Sequence, residues 1–252
     1  MSGHDLAIGL LVAVMVGISK TALPGAGLLA TPMMASVFSG RELPGSALMI
    51  LLCADLFAIT IYRRHARWDL LRPLTGWVAA GFAAGAAFFI AVGKADRSIE
   101  ITIAVIILVM IVIIAARMVR GSQPAEPTTA AAAFYGTLGG FTTFVSNNAG
   151  PVMNSYLMRL GLSKEELVGT SAWFYFVVNV AKIPVYLGLG WWTTGGHFIT
   201  GDGLTLAAAS FPGVLAGVYI GRRLFPYIAQ RTFMIIVLVL AGYAAFRLLA
   251  GA

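Results

Sequence analysis

Charged residues are scarce in this sequence. Asp, Glu, Lys and Arg make up 11% of its 252 residues, against about 25% in a soluble domain. That shortage excludes an ordinary soluble protein, a disordered tail and a nucleic-acid binder, all of which need a polar or basic surface. Cysteine is nearly absent: Cys53 stands alone, so no disulfide forms within the chain. The histidines, His4, His65 and His197, are scattered. No Cys/His cluster offers a metal site, and we expect neither metal nor cofactor. The opening MSGHDLAIGL carries no basic residue ahead of its apolar stretch, which argues against a cleaved secretory signal.

What the sequence has in abundance is apolar surface. Hydrophobic residues reach 59% and mean hydropathy is +0.88. A bilayer span takes about 20 such residues, which leaves room for about eight full spans plus shorter pieces. The expectation is an all-α polytopic membrane protein in a lipid bilayer. Its apolar runs cover 5–22, 26–38, 44–62, 74–92, 99–118, 131–147, 149–160, 167–189, 204–221 and 232–249. The runs 26–38 and 149–160 are too short to cross upright. Each follows a break, Leu23-Pro24-Gly25-Ala26-Gly27 in one case and Ser146 to Pro151 in the other. Proline and glycine interrupt helices, so each region reads as two helical pieces joined at membrane depth. Irregular backbone survives there only when protein or a wet cavity covers it.

The net charge of +7 is best explained by loop orientation rather than by nucleic acid. Arg63, Arg64, Arg67 and Arg72 share one loop; Arg117 and Arg120 a second; Arg222, Arg223 and Arg231 a third; Arg159 and Lys164 a fourth. The opposing loops hold Arg41 with Glu42, Lys94 and Arg97 with Asp96, and no charge but Asp202 from Gly190 to Gly203. Placing the first group in the cytoplasm puts both termini outside, with five membrane segments per half. Trp68, Trp77, Trp191 and Trp192 fall near span ends, where an aromatic belt belongs.

The halves resemble each other at an offset of about 124 residues. Ala26-Gly27 answers Ala149-Gly150. Ser39 and Glu42-Leu43 answer Ser163 and Glu166-Leu167. Gly45 answers Gly169, Asp55 answers Asn179, and Tyr62 answers Tyr186. Further on the offset grows: Gly81 and Gly85 answer Gly213 and Gly217, and Arg97 answers Arg231. The organisation expected is a first repeat over 1–122, a linker over 123–130 and a second repeat over 131–252. The charge map inverts one repeat relative to the other. Paired broken helices in inverted repeats point to a transporter with its site near the midplane.

The run Gly17-Ile-Ser-Lys-Thr-Ala-Leu-Pro-Gly-Ala-Gly-Leu-Leu-Ala-Thr-Pro32, echoed from Gly140 to Pro151, resembles the TauE/SafE family of bacterial inner-membrane sulfite and organosulfonate exporters. The resemblance covers nearly the whole chain. It implies a transporter rather than an enzyme, and a small sulfur-containing anion such as sulfite, sulfoacetate or thiosulfate. It also implies a multi-pass protein of the bacterial cell inner membrane. A homodimer stays open.

The residues themselves offer a site for such an anion. Half-helices starting near Gly25 and Gly27, and near Asn148 and Gly150, would aim free N–H groups and positive dipole ends at their breaks. Such ends hold an oxyanion, and glycine permits close backbone approach. Asn147, Asn148, Ser19 and Thr21 could add donors. The plainer alternative is that these glycines only permit close helix packing. Lys20 stands in an apolar run, where a lysine costs about 2.5–3.5 kcal/mol and must face a cavity or a partner. It either attracts the anion or pairs with Asp55. Ser171, Tyr175, Asn179 and Lys182 form a polar stripe on one helical face, either lining a pathway or bonding a neighbouring helix. Asp55, an acid deep in a span, is a proton-relay candidate or a counter-ion. No intramembrane histidine or Gly-x-Ser-x-Gly elbow supports an enzyme. An anion channel, or a carrier of small carboxylates, remains the alternative to a sulfur-anion exporter.

Overall fold

A computed structural model describes residues 2–22, 26–120, 126–193 and 196–224, with isolated positions from 227 to 250. Gly25, residues 123–125 of the expected linker, Arg231 and half of the last apolar run lie outside the described residues. The described elements are all helical.

Helix α1 (Gly3–Thr21) starts at a capping box. The Ser2 hydroxyl accepts from Asp5 N–H, and the Asp5 carboxylate accepts from Ser2 N–H. A short 3-10 turn, Ala26–Leu29, leads into α2 (Ala30–Met34). Helices α3 (Glu42–Tyr62), α4 (Trp68–Leu71), α5 (Thr75–Val92) and α6 (Asp96–Arg120) complete the first half. The second half runs α7 (Thr129–Ser146), α8 (Gly150–Met158), α9 (Lys164–Trp192), α10 (Gly201–Ala209) and α11 (Phe211–Leu224). Both halves thus present a long helix, a break, a short helix and a second long helix. Five described helices are long and apolar enough to cross a membrane, or six if α10 and α11, bent by 46° at Ser210, form one span. That bend interrupts the expected 204–221 run. Helix α9, by contrast, continues through Pro184.

Close backbone contact joins the halves in a reciprocal way. A Cβ on Gly17 of α1 would come within 2.7 Å of Val214 O and Val218 N of α11. A Cβ on Gly81 of α5 would meet Gly140 Cα at 2.8 Å on α7. In each case the first long helix of one half packs against the later span of the other, at glycines that let backbones touch.

The third helices, α3 and α9, pack on each other and run antiparallel. A Cβ on Gly169, near the start of α9, would meet Tyr62 O and His65, just past the end of α3. Asp55 meets Asn179 midway. At the far end, Gly45 of α3 faces the Phe198 backbone, beyond α9. Helices α3 and α9 therefore point in opposite directions.

The contacts also sort the loops by end. Arg67 N–H donates to Thr170 Oγ1 at 3.0 Å, and its guanidinium reaches Asp69 at 2.8 Å and Glu166 at 3.4 Å. This joins the 63–72 loop to the start of α9. At the opposite end, Arg41 donates to Thr193 Oγ1 and to Phe89 O. Arg41 is buried, so it is a structural tie rather than the solvated loop charge that its sequence position suggests. The basic loop at 63–72 and the sparsely charged 193–203 loop consequently occupy opposite ends of the bundle.

Candidate functional site

The helix breaks determine where polar groups go, because each long helix leaves terminal carbonyls to satisfy. At the end of α1, Thr21 O accepts from the Tyr62 hydroxyl at 3.0 Å. At the end of α7, Phe144 O accepts from the Tyr186 hydroxyl. Tyr62 and Tyr186, which the sequence comparison pairs, perform the same task. Beyond Ser146 the chain turns through Asn147 in the left-handed region, φ 57°. Asparagine tolerates that conformation better than most residues. Its amide donates to Pro44 O at 2.8 Å and accepts from Lys182 Nζ at 2.5 Å.

Helix α8 then starts without a side-chain cap, at Gly150-Pro151. Its first-turn N–H groups lack acceptors within the helix. Asn148 immediately precedes it. This side chain is 2% exposed, yet neither its amide nitrogen nor its amide oxygen has a hydrogen-bond partner. A buried amide without partners costs about 1–3 kcal/mol, an unusual expense unless something else occupies its donors.

The uncapped helix start and Asn148 both face a cavity of about 50 Å³. One water needs about 10–15 Å³ of such space, so the cavity has room for a few waters or one small anion. Ser19, Lys20, Asn147, Asn148, Gly150, Ser171, Tyr175 and Asn179 all line it. A Cβ on Gly150 would meet only the Tyr175 hydroxyl, at 3.8 Å, so glycine keeps the helix start open on that side.

Lys20 is the cation on the cavity wall. Its Nζ lies 2.7 Å from Asp55 Oδ1, with 10% of the side chain exposed and none of Asp55. It also sits 4.1 Å from the centre of the Tyr175 ring, where the ring's electron-rich face favours a cation. Asp55 Oδ2 accepts from Asn179 Nδ2 at 2.6 Å. The two alternatives for Lys20, a cavity or a carboxylate partner, thus coexist.

Other expected residues stand elsewhere. Thr21 is buried and donates to Gly17 O at 2.8 Å within its own helix, away from the cavity lining. Lys182 is fully buried and lies behind the cavity rather than on it. It donates to Thr143 O at 3.1 Å, Thr143 Oγ1 at 3.2 Å and Asn147 Oδ1, all neutral acceptors. Of the α9 stripe, Ser171, Tyr175 and Asn179 reach the cavity and Lys182 braces its wall. Gly27 falls in the 3-10 turn leading to α2, whose Leu28 lines the cavity. Gly25 lies outside the described residues.

The sequence reading missed Thr143 and Asn154. Both line the cavity, and Asn154 accepts from the Ser171 hydroxyl at a long 3.4 Å. Asn147, Gly150 and Asn154 are spaced at about one helical turn, which was a usable signal. Among the described residues no group of His, Cys, Asp and Glu could hold a metal ion.

The family model described as Sulfite exporter TauE/SafE matches residues 9–248. No curated protein and no solved structure matches the chain.

Proposed function

Since the chain belongs to the Sulfite exporter TauE/SafE family, we propose that it exports a small sulfur-containing anion across the bacterial inner membrane. Sulfite, an organosulfonate and thiosulfate are the substrates that fit this reading. Both termini lie outside, and the basic 63–72 loop faces the cytoplasm, where positive loops accumulate. The anion occupies the cavity between the end of α1 and the start of α8, near the bilayer midplane. Lys20 supplies charge, Asn148 supplies an amide, and the α8 N-terminus supplies free N–H groups and a positive dipole end. Tyr175 and Ser171 complete the wall.

The observation that carries the proposal is the Asn148 amide, buried and unpartnered beside both an uncapped helix start and a lysine. A site built for water alone would not need the cation. The membrane potential favours outward movement of an anion by about 2.3 kcal/mol per charge per 100 mV, so the direction of export has a ready driving force.

The test is binding by purified protein to sulfite, thiosulfate, sulfoacetate, sulfate and acetate, with Asn148→Ala alongside. The expected result is binding of one or more sulfur anions, weakened at least tenfold by Asn148→Ala. Preferential binding of acetate would replace the substrate class, and equal affinity in Asn148→Ala would remove this cavity from the function. Saturable exchange in proteoliposomes distinguishes the carrier proposed here from a channel, which would give unitary currents.

A further inference from the structure

Lys20 already has a counter-charge before any anion arrives. Asp55 lies against its ammonium and is wholly buried. An anion that takes Lys20 from inside the cavity therefore puts two negative groups on one cation. Asp55 would remain as an under-compensated carboxylate out of reach of water, which is strongly unfavourable.

Among the described residues, the surroundings of Asp55 provide no second cation free to absorb the change. Helix α1 brings Lys20, and α9 brings Tyr175 and the buried Lys182, one turn beyond Asn179. Lys182 is already bonded to Thr143 and Asn147. Helix α2 carries no ionisable side chain, and that of α7, Tyr135, packs against Tyr156. The charges of α11, Arg222 and Arg223, fall at its C-terminal end, while Asp202 opens α10, whose Gly203 faces Ser46 near the start of α3. Neutralising Asp55 with a proton is the remaining way to free Lys20. Asn179 is suited to both states. Its amide nitrogen donates to the carboxylate, and after a flip its oxygen accepts from a protonated acid.

We propose that the anion and one proton bind together, the anion on Lys20 and the proton on Asp55, and that the protein moves them in the same direction. The proton comes from water and forms one O–H bond on the carboxyl group; no bond within the anion changes. A monovalent anion then crosses without net charge and draws no drive from the membrane potential, whereas a divalent one carries a single negative charge and is still driven outward by it. The inference rests on the proposed anion site.

Isothermal titration of purified protein with thiosulfate, in buffers of different ionisation enthalpy, tests it. Thiosulfate does not titrate near neutral pH, so protons taken up belong to the protein. The expected uptake is about one proton per anion, with Kd rising by up to about tenfold per pH unit. Asp55→Asn should bind with neither proton uptake nor that pH dependence, and Asp55→Glu should restore both. Wild-type binding without proton uptake would overturn the coupling and leave the anion site standing. Uptake that persists in Asp55→Asn would overturn the role of Asp55. Failure of the wild type to bind any of the sulfur anions, in any buffer, would overturn the site and the coupling together.

Discussion

The two lysines within the helical bundle each sit at the end of a long helix, α1 or α7, and have different chemistry. Lys20 joins the end of α1 to α3, and Lys182 joins the end of α7 to α9. A cation suits both places, because the last carbonyls of a helix carry partial negative charge. Lys20, however, has a carboxylate partner and touches the cavity. Lys182 has neutral acceptors and no exposure. The comparison teaches that two lysines at helix ends can differ in surroundings. Lys182, on the third helix of its half, is sealed among neutral acceptors, while Lys20, on the first helix of the other, faces a carboxylate and a cavity. Asp55 and Asn179, paired by the sequence offset, also differ: they are mutually bonded, and only one of them is ionisable.

The largest expected effect breaks the comparison at Lys20. Lys20→Met should abolish anion binding and transport and strand Asp55, costing about 3–5 kcal/mol of stability. Lys20→Met combined with Asp55→Asn should recover most of the stability and none of the binding. Thermal unfolding in detergent, read beside anion titration, checks both halves of that statement. Recovered binding in the double variant would make Lys20 a mere counter-ion.

Lys182→Met should act in the opposite proportion. It removes hydrogen bonds from a charged donor, each worth about 1.5–3 kcal/mol, so unfolding temperature falls while anion affinity drops less than in Lys20→Met. A loss of affinity as large as that of Lys20→Met would erase the distinction between the lysines.

The glycine contacts should behave alike in both halves. Gly17→Val and Gly140→Val each force a packed backbone pair apart, at a cost of about 1–3 kcal/mol. A large difference between them in unfolding temperature would show that the two inter-half seams are unequal.

The smallest effect concerns caps. Ser163 and Glu166 form a capping box on α9, whereas α3 begins at Arg41 without a side-chain cap, despite the matching Ser39 and Glu42. Ser163→Ala should lower stability slightly and Ser39→Ala should not. Glu166 titrates below the usual range because the Ser163 N–H, then its hydroxyl and Arg67, favour the carboxylate. Its contribution is therefore complete above the ordinary glutamate pKa and fades as pH falls through the lowered value. A Glu166→Gln variant should lose that acid dependence in a pH series of unfolding temperatures.

Much of this was legible in the residues. The breaks after Thr21 and Ser146 follow from proline, glycine and asparagine clusters, and α1 and α7 end where those clusters begin. Lys20, Asn148 and the Ser171–Tyr175–Asn179 stripe were visible as polar groups that apolar spans must shelter. Other features were not legible. Thr21 looks as much a donor as Ser19, and only the helix rotation sends its hydroxyl back to Gly17. Arg41 looks like a loop charge, and only the approach of Thr193 and Phe89 buries it.

Sequence by itself determined the membrane class, the interruptions after Thr21 and Ser146 and the short list of polar groups inside the spans, but not the bend at Ser210. These follow from local rules, since bilayer thickness sets run length and backbone chemistry sets where a helix stops. The tertiary structure alone decided which lysine meets the cavity and which is sealed behind it. It also decided that Asp55 binds Lys20 and Asn179 at once, and that the Asn148 amide is left with an empty hand beside the start of α8. Those outcomes depend on how helices far apart in the chain rotate and approach, and no local run of residues encodes them.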